Sequence, residues 1–392
     1  MKKIITILCI LIAFTMSEAR PKKNHSKKHK KGHHRVLIKK SKTKLSKSKQ
    51  KESKSPKKVE IIGESNSGQN LNNAPYDQDK YAAENSKALL KELSRATDTE
   101  EKARLYSQLS SNYQYSPQIE LVFKSIGYIK KAIAYSKLNE NKSIYHSQLA
   151  VILSSQKPLD IDSIKKEYEK AIELTEFKAN KSYYYSQLGS IYQAKEVPDY
   201  ESSLKSYKDA LENASSENEK SNIYAYIASI YYYDKNKFVE SYLKAIEHSS
   251  EDETKSYYYS AIGNYFLTPY GTIQDPDFET GKQYLEKAIS LTKNLSTKAQ
   301  YYSVLATSYK HKQNVDSSEI EKYFEKAIEL CQNAYDKSYY LSQLGAVLAE
   351  KKTPEIDKAI QQYENAAKLT TDNYSLKSYK NAIAILKRRK TQ

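Results

Sequence analysis

The sequence predicts an all-α solenoid of about seven antiparallel helix pairs, with a capping helix at each end and a basic arm in front. Three observations predict it. A trio of one large, one aliphatic and one small residue, at i, i+3 and i+4, recurs seven times. An alanine at a second-helix position follows each trio. The step from each of the first six alanines to the next trio is always 14 residues, whereas the step inside a repeat, from position i+7 to the alanine, varies from 14 to 22. A fixed joint between repeats and a free tip within each is how a stacked array behaves, because neighbour packing is constrained and insertions collect on one edge.

Residues 180–215 serve as the template. Tyr185, Leu188, Gly189 and Tyr192 share one helical face. Pro198 breaks the pattern, and Leu204, Tyr207, Ala210 and Leu211 form the face of a second helix. One such hairpin cannot bury its stripe alone; it needs neighbours of the same shape. The trios begin at Tyr106, His146, Tyr185, Tyr224, Tyr259, Tyr302 and Leu341, and the alanines are Ala132, Ala171, Ala210, Ala245, Ala288, Ala327 and Ala366.

In chain order, residues 1–19 read as a cleaved secretory signal rather than an uncleaved anchor. They carry two lysines, an apolar run from Ile4 to Phe14, and Ser17-x-Ala19 as a cleavage site. The run is too short for a comfortable membrane span, so no integral span is expected. The dense positive charge just after it opposes translocation. On balance the chain is expected to be secreted or extracytoplasmic. Cys331 is then the single thiol left, and no internal disulfide can form.

The formal charge of +17 belongs to one segment: residues 20–58 hold 18 Lys or Arg and one acid, and residues 59–392 are close to neutral. With so few apolar residues and so much like charge, 20–75 is expected to be a disordered Lys/His-rich arm and linker. Lys27, Lys28, Lys30, Lys31, Arg35, Lys39 and Lys40 are its candidate polyanion contacts, through counterion release; the bland alternative is a solubilising spacer. His25, His29, His33 and His34 lack a fixed framework for more than weak metal binding. Residues 76–392 are the repeat domain, with 79–96 a leading helix and 376–390 a terminal one whose lysines and arginine suit an end cap.

A large residue, leucine three on, a small residue next and an aromatic three later, followed by second helices such as YEKAIEL (168–174), resembles the tetratricopeptide repeat. The variable tips are also similar to Sel-like repeats. The resemblance covers 101–371. It departs in lacking the first-position tryptophan, most turn glycines and the proline after the second helix. It implies a right-handed superhelix whose first helices line a concave groove, with a protein or peptide ligand there.

On that face Tyr183, Tyr257 and Tyr339 precede the packing position by two residues. Ser186, Ser190, Ser260, Asn264 and Ser342 line it with them. Rigid rings with a polar tip make good contacts. Composition explains the 37 tyrosines equally well. His146, His248 and His311 fall in different repeats with no acid or nucleophile at helical spacing, and no phosphate loop, zinc cluster or nucleophile elbow is present. The expectation is a non-enzymatic scaffold with no cofactor and no small-molecule substrate. The alternative is a surface-attachment protein that binds polyanions (a glycosaminoglycan, an anionic envelope polymer or nucleic acid) through the arm, the repeats acting as spacer.

Overall fold

A computed structural model describes residues 78–268, 276–310 and 316–391. The signal-like segment, the arm with its seven candidate cations, and His311 lie outside the described residues. The described residues form sixteen helices and no strand: α1 (Gln78–Leu93), α2 (Thr99–Ser111), α3 (Ile119–Tyr135), α4 (Asn139–Ser154), α5 (Ile161–Leu174), α6 (Lys178–Gln193), α7 (Tyr200–Asn213), α8 (Glu217–Ile230), α9 (Lys235–His248), α10 (Asp252–Leu267), α11 (Phe278–Leu291), α12 (Leu295–Lys310), α13 (Ser317–Leu330), α14 (Ala334–Glu350), α15 (Ile356–Leu369) and α16 (Asn373–Lys390). From α2 to α15 they pack as seven consecutive pairs, each pair tighter within itself than against its neighbour. α1 leans on α2 and α16 on α15. The described residues are thus an all-α helical-repeat array, as the periodicity predicts.

The tips owe their tolerance to how the second helices begin. Asp160, Asp199, Asp234, Asp277 and Asp316 stand at the N-caps of α5, α7, α9, α11 and α13, and each accepts a backbone N–H two or three residues on. An N-cap side chain stabilises a helix by about 0.5–2 kcal/mol over alanine. It works whatever the length of the loop before it, so glycine is not needed there.

The joints are built differently. Four residues after each alanine the chain leaves the second helix in an extended conformation, at Ser136, Thr175, Ala214, Ser249, Thr292, Cys331 and Thr370. In three repeats an acid near the start of the same pair's first helix clasps this exit. Glu100 accepts from Ser136 Oγ (2.8 Å), the Leu138 N–H (3.2 Å) and Asn141 Nδ2 (2.9 Å). Glu140 accepts from Thr175 Oγ1 (2.8 Å) and Asn180 Nδ2 (2.6 Å), and Glu253 from Thr292 Oγ1 (2.5 Å) and the Lys293 N–H (2.7 Å). Leu138 and Phe177, at the N-caps of α4 and α6, offer no side-chain cap; through the Leu138 N–H and the side chains of Asn141 and Asn180, the two glutamates tie the start of each helix to the exit before it.

Inside each pair the helices cross at the small residue of the trio. A Cβ on Gly189 would lie 2.5 Å from Cε1 of Tyr207, which is itself buried and within hydrogen-bond distance of Ser190 and Gln193. Gly263 and Gly281 face each other across α10 and α11: a Cβ on Gly263 would lie 2.9 Å from Leu285 Cγ, and one on Gly281 2.5 Å from Leu267 Cγ. A buried serine fixes the upper end of the pair: Ser143, Ser221, Ser256 and Ser338 donate to the carbonyls of Ala171, Ala245, Ala288 and Ala366 at 2.7, 2.7, 2.7 and 3.0 Å. The core is accordingly a succession of clusters along the array, such as Tyr168, Ala171, Tyr184 and Leu188, then Tyr207, Ala210, Ile223 and Ile227.

Two boundaries differ from the sequence reading. α1 stops at Leu93, because the chain must extend into the N-cap Asp98 of α2. α16 starts at Asn373, three residues earlier than expected, because Asp372 caps it through the Ser375 N–H (2.8 Å). No helix among the described residues is long and apolar enough to cross a membrane.

Candidate functional site

The three candidate tyrosines occupy one position of α6, α10 and α14, and all three are set in the same way. Each leans edge-on against the next ring in sequence: Tyr183 on Tyr184 (centroids 5.7 Å, planes at 65°), Tyr257 on Tyr258 (5.8 Å, 65°) and Tyr339 on Tyr340 (6.0 Å, 64°). The supporting rings are buried. Tyr183 is 48% exposed and Tyr339 46%, while Tyr257 is half-buried. A ring held by its edge with one face open costs little ordering when a ligand lands on it.

Desolvation by the surrounding protein, helped by neighbouring phenols, pushes the Tyr183 hydroxyl above the usual phenol range and that of Tyr257 to about 12. Both phenols stay neutral, able to donate and to accept one hydrogen bond each.

The serines of this face turn inward. Ser186, Ser260 and Ser342 are buried, and their hydroxyls donate to the carbonyls of Ser182, Tyr257 and Tyr339 on their own helices. Ser190 is exposed, donating to the Ser186 carbonyl and meeting the Tyr207 hydroxyl at 3.1 Å. Asn264 is half-buried on α10, one turn from Ser260. The open surface is therefore narrower and more aromatic than the residue pattern suggests.

Two rings were missed in the sequence. Tyr115, in the connection from α2 to α3, is 59% exposed and adds to the upward push on the Tyr183 hydroxyl. Tyr226 on α8 stacks on Tyr207 (centroids 5.6 Å, planes at 25°) and also adds to the upward push on the Tyr183 hydroxyl. In that repeat Asn222 stands where Tyr183 does and accepts from the Tyr258 hydroxyl (3.2 Å), so the ring comes from one turn later. A search at i+4 as well as i would have found Tyr226; Tyr115 lies outside the helical periodicity and left no signal.

Charges on this side are engaged within the chain: Arg104 donates to Gln108 (3.0 Å) and Lys310 pairs with Glu350 (3.7 Å). Two histidines have acids as partners after all, from across the fold rather than at helical spacing. His146 Nδ1 lies 2.5 Å from Glu167 Oε2, both side chains largely buried, and His248 meets Glu217 while stacking on Tyr224. Among the described residues no three His, Cys, Asp or Glu side chains gather as a metal site.

No known family profile matches the chain, and no curated protein matches it. Solved structures overlap it more loosely. BtubC from P. vanneervenii is 17% identical, with 65% of this chain and 92% of that chain covered and a TM-score of 0.35. Yeast Tom70 is 17% identical over 76% of this chain and 66% of its own, with a TM-score of 0.29. A computationally designed self-assembling cyclic homooligomer is 14% identical over 79% and 92%, with a TM-score of 0.09. At these scores the overlaps carry no argument. The repeat assignment rests on the chain's own helix pairing.

Proposed function

We propose that the chain is an exported, non-enzymatic scaffold or adaptor that holds an uncharged segment of a protein partner against the open face of its first helices. One observation carries this reading: Tyr183, Tyr257 and Tyr339 repeat the same half-open, edge-supported geometry in three separate repeats. Compositional bias puts tyrosines into a chain, but it does not orient three of them alike. The neutral phenols and the engaged cations argue against an acidic tail as ligand, since a buried carboxylate there would lack charge-assisted partners. The test is competition between uncharged and acid-terminated peptides, with and without alanine at the three tyrosines. Binding is expected to favour the uncharged peptides and to fall at least tenfold in the triple variant. Binding that needs an acidic C-terminus, or that survives loss of all three rings, would overturn the reading.

A second reading keeps its own support, the 18 cations within 39 residues. In it the arm attaches the protein to a polyanion and the repeats act as spacer. Salt separates the two, because arm binding weakens steeply with ionic strength and ring contacts do not.

A further inference from the structure

We infer that the exposed side of α16, which corresponds in register to the pair-forming side of α6, accepts an acidic amphipathic helix from another polypeptide. The register of α16 follows from a shared contact. Ser338 reaches the Tyr379 hydroxyl (3.4 Å) as Ser143 reaches that of Tyr184 (3.3 Å), 41 residues apart in both cases. Aligned this way, Lys377, Lys380, Ala384, Lys387 and Arg388 stand where α6 carries Ser182, Tyr185, Gly189, Tyr192 and Gln193. On α6 three of these face α7, since Gly189 lies against Tyr207, Gln193 donates to the Tyr207 hydroxyl and Tyr185 packs against the same cluster, while Tyr192 packs on the α5 side. Those α6 residues are buried or half-buried, and all five on α16 are exposed. The small residue that lets a second helix cross is present, and no helix crosses it among the described residues.

The chemistry of the five positions selects the occupant. A face that only had to stay wet could mix signs, as end caps need polarity and not a particular charge. Here α16 contains six cations and no acid. Lys387 and Lys390 pair with Glu364 and Asp357. Lys377, Lys380 and Arg388 make no ion pair among the described residues and line the crossing position. The chain's own arm is excluded by like charge, and α1 of a second copy, with three acids and three lysines, offers no complement. A helix of about four turns, the length of the second helices, with carboxylates on its apolar margin meets these cations while its apolar stripe covers Ala384 and the lysine stems.

The probe is a 14-residue peptide of the α13 sequence carrying K322E and K326E, with a benzophenone side chain in place of Phe324, used against the full chain. Photo-crosslinks mapped by mass spectrometry are expected within α16. Their yield should fall at least tenfold in a K377E/K380E/R388E variant and several-fold in K380E alone. Both variants should keep the parent's melting temperature, because the positions are exposed. A scrambled peptide of the same composition should label the arm and not α16. The proposal is overturned if α16 is not labelled, if the scrambled peptide labels it equally, which would make it a plain anion-attracting face for a lipid or nucleic acid, or if K380E leaves the yield unchanged.

Discussion

The joint between repeats and the tip within them do opposite things with the same short polar residues. At the tip, an aspartate caps the helix that follows it and pairs with a lysine three or four residues away, as Asp199 does with Lys195 and Asp234 with Lys237. At the joint, a glutamate from one helix reaches the end of its partner and the start of the next repeat, so that three helices share one carboxylate. The first device is local and indifferent to loop length; the second tolerates no change in spacing. At the three joints that carry the clasp, that difference accounts for a fixed 14-residue step, while the step across the tips ranges from 14 to 22.

The crossing inside a pair should be the most sensitive place of all. Gly189→Leu is expected to destabilise by at least about 1–3 kcal/mol, since the side chain would have to displace a buried, hydrogen-bonded ring. Thermal or urea unfolding checks this, and a parental melting curve would mean the register is wrong. Glu100→Gln comes next, expected to cost about 1–2 kcal/mol because hydrogen bonds to a charged acceptor are exchanged for neutral ones. Asp199→Ala, at a tip, should cost about 1 kcal/mol and leave the neighbouring repeats' amide protection unchanged; protection lost on both sides would erase the distinction between tip and joint.

Acid should weaken both devices. Burial raises the Glu100 carboxyl, but the N–H and side-chain donors around it outweigh that and hold it below the ordinary value. Glu167 behaves likewise, with burial opposed by the His146 bond. Backbone and side-chain hydrogen bonds hold the tip aspartates Asp199 and Asp234 low as well. A carboxyl depressed in the folded state contributes stability above its unfolded pKa, and the contribution is lost as pH falls through the folded one. Stability should therefore be flat down to about pH 4.5 and fall below it. Glu100→Gln should shallow that fall, and an unchanged slope would remove Glu100 from the joint. The smallest effect is expected at Tyr183→Ala, within about 0.5 kcal/mol, since the ring is half exposed and its hydroxyl is not needed to satisfy a buried partner.

Helix pairing was legible in the sequence because burial imposes it on large, repeated side chains such as Leu188 and Tyr207. The joint was legible only as a number. The residues that make it, Glu100, Glu140, Glu253 and the buried serines such as Ser256, are small or polar and look like surface residues until the fold brings their partners 24 to 41 positions apart into contact. The candidate face was half legible. Its rings follow helical spacing, but a hydroxyl such as that of Ser186 can bond its own backbone or face a ligand, and spacing alone does not choose.

The most direct test of the account is a pair of insertions of the same two residues, Gly-Ser. One goes into a tip, between Glu196 and Val197; the other into a joint, between Lys137 and Leu138. The tip insertion is expected to change unfolding free energy by less than about 1 kcal/mol, as lengthening a surface loop does. The joint insertion should cost several times more and split the unfolding transition, because it parts Glu100 from the start of α4 and uncouples the repeats on either side. Equal losses from the two insertions, or a joint insertion that melts like the parent, would contradict it.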